Sequence, residues 1–190
     1  MKRIVFVVVL LGLFSSVGFG AEYAVDKGAI MFSVIGGYVN ASGDLYKDSE
    51  GHSSNTFLVM PSVVHFSPAN VGFGGDLLLL HYKQGDAGLT TLGLGPKMMF
   101  TLGGKDSKTY PYIDIALYYV RNTEEQGKVD YTVSGTRLKF GAGASIMVAS
   151  HLGLLMEASY NLDNLKGEHA KESTQGNMII VSVGLAGFSF

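Results

Sequence analysis

Six charged residues recur through the middle of the chain: Asp76, Lys97, Asp114, Arg137, Lys139 and Glu157. Each falls on the less apolar of the two alternating faces of its own segment, so all six point the same way relative to the bulky aliphatic residues around them. Three acids and three bases in such positions suit two kinds of chemistry. Packed together in an interior filled by side chains they form a structural ion-pair network, because an unpaired charge there costs on the order of several kcal/mol in desolvation. Spread around a water-filled lumen they would instead make a gate or a narrow ion path. The balance of signs favours the network.

Other chemistries find little support. The chain has no Cys, which excludes a disulfide framework, thiolate catalysis and Cys-ligated zinc. Asp44, Asp48, Glu50 and His52 cluster in one polar stretch, but without the Gly and bidentate Glu spacing of a calcium loop. They read as solvated loop charge, and no metal or other cofactor is expected. Nucleic acid is not an expected partner either: without Lys2 and Arg3, 12 basic residues face 16 acids.

The elements that must position the six charges are strands. Lys2 and Arg3, an apolar run from Ile4 and small residues around Gly18 and Gly20 form the three-part plan of a secretory signal peptide, with cleavage expected after Gly20. The apolar run is too short to span a bilayer as a helix. Residues 21–190 then read as one domain in which apolar residues recur at period two. Eight strands are expected at 29–40, 55–66, 71–83, 89–102, 109–122, 133–148, 152–162 and 176–190. Short turns at 67–70, 103–108 and 149–151 alternate with mostly longer polar loops, the habit of periplasmic turns and extracellular loops. An even number of such strands predicts an all-β, transmembrane eight-stranded antiparallel up-and-down β-barrel.

Orientation follows from the faces. In the seventh strand Leu152, Leu154, Met156, Ala158, Tyr160 and Leu162 oppose Gly153, Leu155, Glu157, Ser159 and Asn161. The sixth and fourth strands sort in the same way, so the apolar faces are assigned to hydrocarbon and the charges to the lumen. Eight strands enclose an interior just wide enough for side chains to fill. Phe66, Phe73, Phe100, Phe188 and Phe190 are expected outward near the short turns, and Tyr38, Tyr119 and Tyr160 outward near the long loops, as two interfacial girdles. The second and eighth strands sort poorly: this phase turns Phe57, Val59, Val63, Val181, Val183 and Leu185 inward unless the register slips by one.

The stretch Phe57-Leu58-Val59-Met60-Pro61, then Phe66, Asn70-Val71-Gly72-Phe73-Gly74 and Leu94-Gly95-Pro96-Lys97, resembles the outer-membrane β-barrel domain family, related in architecture to outer membrane proteins A, X and W. The last eight residues, with Phe188 and Phe190, resemble the insertion signal read by the barrel assembly machinery. The resemblance implies the outer membrane of a Gram-negative bacterium, a monomer, and contact with outer-membrane lipid and lipopolysaccharide. It implies a structural or surface-interaction role through loops near 41–54 and 163–175, with the surface partner left open. A small pore or hydrophobic-solute passage is the alternative. Some barrels of this size modify lipid A with a His, a Ser and an acid. Here the candidate base is His81, but the deacylase pattern wants a Ser two residues later and this chain reads His81-Tyr82-Lys83, so an enzyme is not expected. His52, His65, His151 and His169 read as ordinary polar positions.

Overall fold

The structure, a computed structural model, describes residues 22–41, 54–126, 129–167 and 173–190. Eight strands follow one another in chain order: β1 (Ile30–Ala41), β2 (Ser54–Phe66), β3 (Val71–Gln84), β4 (Ala87–Thr101), β5 (Thr109–Gln126), β6 (Val129–Ala149), β7 (Leu152–Gly167) and β8 (Thr174–Ser189). Each pairs antiparallel with the next, and β1 closes on β8, giving the up-and-down barrel the alternation predicts. Closure leaves every strand with two neighbours, which is the route by which strands can lie in hydrocarbon with their backbones satisfied.

On the loop side several strands outrun their expected ends. β5 and β6 stay paired from Leu117 and Leu138 out to Gln126 and Val129, and β7 reaches Gly167. Polar residues pair as readily as apolar ones, so composition marks where the apolar band ends and not where the ladder ends. The second outer loop is a tight turn, Gly85-Asp86, with Gly85 at φ 57, the first central position of a type II′ hairpin. Residues 42–53 of the first outer loop and 168–172 of the fourth lie outside the described residues.

β4, β6 and β7 present the faces expected of them. β2 and β8 take the opposite phase. Leu58, Met60, Ser62, Val64 and Phe66 point inward while Phe57 and Val63 are exposed, and Val181, Val183 and Leu185 face outward. The aromatic girdle at the short-turn end is corrected accordingly. Phe73 and Phe100 face out, but Phe66 and Phe188 are buried in the lumen, and Phe190 is half-buried at the rim. Tyr119 and Tyr160 are outward as expected, and the side chain of Tyr38 lies outside the described residues.

Phe66 and Phe188 are drawn inward because the short-turn mouth is closed. Residues 22–29 make a turn ahead of β1 that seats Ala24, Val25 and Ala29 in the same apolar cluster. Its backbone is tied down where the Gly28 N–H donates to the Phe66 carbonyl at 2.7 Å and the Asn70 N–H to the Val25 carbonyl at 2.8 Å. Asn70 reaches this position with φ 65, a left-handed conformation that Asn tolerates well. At the rim Lys105 Nζ lies 3.0 Å from Glu22 Oε2, and this hydrogen bond holds the ammonium above the ordinary lysine range.

Among the described residues the closing seam is the shortest ladder. β1 and β8 pair over residues 30–36 against 183–189, whereas β5 and β6 pair along 109–126 against 129–146.

Candidate functional site

Five of the six charges meet in one continuous chain across the barrel. Lys97 Nζ lies 3.5 Å from Asp76 Oδ2 and 2.8 Å from Asp114 Oδ2. Lys139 Nζ lies 3.2 Å from the same Asp114 oxygen and 2.7 Å from Glu157 Oε1. The order acid, base, acid, base, acid follows the strand order β3 to β7, one charge per strand. All five side chains are almost wholly removed from solvent. Three carboxylates face two ammonium groups, and each end of the chain is completed by a phenol. Tyr118 donates its hydroxyl to Asp76 Oδ2 at 2.7 Å and Tyr112 donates to Glu157 Oε2 at 3.1 Å.

Glycine makes the space for this arrangement. In register, Asp76 stands opposite Gly95, Lys97 opposite Gly74, Asp114 opposite Gly141 and Glu157 opposite Gly143, so each of these side chains leans over a neighbour with none of its own. A methyl at Gly141 would overlap Asp114 Oδ1, and one at Gly143 would come within 2.8 Å of the Tyr112 ring. Gly141→Ala is therefore expected to push the Asp114 carboxylate off its lysines and to lower barrel stability by about 1–3 kcal/mol, read as a lower urea midpoint. An unchanged midpoint would show that the chain can shift without loss.

Arg137 stands apart from the other five. It pairs with Asp163, Nε to Oδ1 at 2.6 Å and Nη2 to Oδ2 at 2.8 Å, a two-pronged contact nearer the loop end. By its polar neighbours in sequence, Asp163 is expected at the start of the fourth loop. It belongs to β7 on the lumen face, two residues beyond Asn161, and the alternation of β7 continued past Leu162 would have reached it. Serines extend the polar belt around the rest of the wall: Ser62 stands opposite Asp76, Ser33 opposite Ser62, and Ser182 opposite Glu157, all buried. Their phase was hidden by the poor sorting of β2 and β8.

Chemically the chain is a brace. Its lysines are held between carboxylates and its phenols donate to carboxylates, so each group's charge or proton is engaged by a neighbour. The remaining candidates lie elsewhere. His81 faces outward on β3, its Nδ1 hydrogen-bonded with the Thr90 hydroxyl at 2.9 Å. His65 is exposed near the short-turn end of β2. His151, in the turn before β7, lies with Nδ1 3.1 Å from the Phe188 carbonyl oxygen and its ring 4.5 Å from that of Phe190. Of the two terminal aromatics, Phe188 thus lies inside the mouth and Phe190 against the His151 ring. Among the described residues no group of His, Asp and Glu is disposed to hold a metal ion, and Asp44, Asp48, Glu50 and His52 lie outside them.

No family model matches the sequence, and no curated protein matches it. Solved structures do match. Neisserial surface protein A (NspA) aligns over 84% of this chain and 95% of its own, with a TM-score of 0.55 at 18% identity. The outer membrane protein OprG of Pseudomonas aeruginosa aligns over 88% and 97%, with a TM-score of 0.55 at 13% identity. The N-terminal β-barrel domain of Pseudomonas aeruginosa OprF aligns over 85% and 98%, with a TM-score of 0.53 at 12% identity. At these identities the likeness is one of fold, and that fold is the small eight-stranded outer-membrane β-barrel.

Proposed function

We propose that the protein is a monomeric outer-membrane barrel of a Gram-negative envelope with a closed interior, serving a structural or surface-interaction role through its outer loops and catalysing no reaction. The observation that carries this reading is the charge chain from Asp76 to Glu157, which fills the middle of the lumen with paired side chains. Outward Leu, Ile, Phe and Tyr side chains fit a lipid surrounding, and the aromatic C-terminal strand fits insertion by the barrel assembly machinery. Lipopolysaccharide and outer-membrane lipid are its expected surroundings, and nothing in its charge suits nucleic acid.

Two measurements test the reading together. In isolated outer membranes the unboiled protein is expected to migrate differently from the boiled protein, because a closed barrel resists detergent until heated. In a planar bilayer it is expected to be electrically silent. Steady single-channel current that changes with Lys97→Ala or Asp114→Ala would replace the closed interior with a pore. Recovery of a soluble periplasmic protein without the mobility shift would overturn the membrane reading altogether.

A further inference from the structure

The outward face of β2 to β5 carries a groove of about 550 Å³ with almost wholly apolar walls. Two register rows define it. Leu79, Leu92 and Arg121 lie side by side across β3, β4 and β5, and Leu77, Leu94 and Tyr119 form the row below, toward the short turns. Pro61 sits at its β2 edge, where the ladder passes from Val59–Leu79 directly to Ser62–Asp76. With no N–H to give, Pro61 loosens that ladder and lets the wall recede.

Arg121 is the anomaly in this wall. It is exposed, points outward and lies just beyond Tyr119, where the apolar band gives way to the loop side. Among the described residues no carboxylate pairs with it. At the edge of the apolar band the guanidinium stands at headgroup depth, and its planar fork matches a phosphate in a bidentate manner. Continuing outward, the surface turns polar through Thr90 and His81 and then gains a second exposed cation, Lys83. Asp86 lies further out, at the tip of the turn.

We propose that this groove is a lipid-binding site for lipopolysaccharide, with one acyl chain lying along the leucine rows and a phosphate of its acylated sugar on Arg121. The inference rests on the outer-membrane reading above. The cation stands at the loop end of the groove, so the lipid must come from the outer leaflet, where the phosphate is attached to the acylated sugar itself.

The test uses the folded barrel in bicelles of phosphatidylcholine doped with either deep-rough lipopolysaccharide or phosphatidylglycerol, with the retained lipid counted by native mass spectrometry. The barrel is expected to keep one lipopolysaccharide and to keep phosphatidylglycerol much less. Arg121→Gln is expected to reduce lipopolysaccharide retention about tenfold, the loss of a charge-assisted contact. Leu92→Trp, which fills the groove and leaves Arg121 in place, is expected to reduce it as well. Equal retention by Arg121→Gln, equal retention of phosphatidylglycerol, or equal retention of lipopolysaccharide stripped of its phosphates would each overturn the site. Both variants are checked first for the heat-dependent mobility shift. If the unsubstituted protein lacks that shift, the outer-membrane reading itself fails, which is a separate result from loss of lipid by a folded barrel.

Discussion

Replacing Asp114 by alanine is expected to destabilise the barrel by about 3–5 kcal/mol, the largest loss predicted for any single substitution in the interior. The reason lies in its position. One carboxylate oxygen serves both lysines, at 2.8 Å to Lys97 and 3.2 Å to Lys139, so its removal leaves two buried ammonium groups facing each other across the gap. Lys97 keeps only the 3.5 Å contact with Asp76, and Lys139 keeps Glu157. The chain has no Trp, so unfolding is best followed by the gel-mobility shift across a urea series. Adding Lys97→Met to Asp114→Ala should cost less than the two single losses summed, because the second change removes a charge that the first has stranded. A single variant unfolding at the parental midpoint would mean that the ion-pair chain does not brace the barrel.

Ile115→Arg probes the opposite face, with an expected loss of about 2–4 kcal/mol in a bilayer. Ile115 lies midway along β5, exposed between the outward side chains of Met98 on β4 and Phe140 on β6. An arginine there stands in hydrocarbon too far from either interface to reach water easily. Thr109→Arg, at the short-turn end of the same strand and likewise exposed, should cost about 0–1 kcal/mol, since the penalty falls off toward the interface. The contrast is specific to a membrane: a barrel in water would accept both substitutions on its surface with equal ease. Equal urea midpoints in lipid vesicles for the two variants would remove the case for a lipid-facing wall.

The ease of reading each strand from sequence tracks how different its two faces are. β7 sets leucine, methionine and tyrosine against glycine, glutamate, serine and asparagine, with Leu155 the one large apolar residue on the inner face, and only one phase puts Glu157 in company. In β2 both faces are apolar, so period two is evident while its phase is not: Leu58, Met60 and Val64 compete with Phe57, Val59 and Val63 for the same side. β8 held a usable clue in Ser182, Gly184 and Ala186, whose small or polar character marks a crowded interior, but the terminal phenylalanines outweighed it. The inward turn of Phe66 and Phe188 depends on the segment at 22–29 closing the mouth, a tertiary contact with no local pattern to announce it. Asp76, Lys97, Asp114, Lys139 and Glu157 share one run of ion pairs. Arg137 separates from them because β7 runs far enough to bring Asp163 within its reach, and strand length beyond the apolar band is not written in hydropathy.

The short ladder between β1 and β8 has a consequence for how the wall opens. Among the described residues all other ladders continue well toward the loops, but this one stops at Gly36 and Val183, and there the outer half of β8 is paired with β7 alone. Amide protons along residues 178–182 that point away from β7 should trade with deuterium earliest, while those of β5 and β6 should hold theirs longest. The cylinder then behaves as a ribbon fastened at one end of its edge, and it parts first at the outer end of the seam.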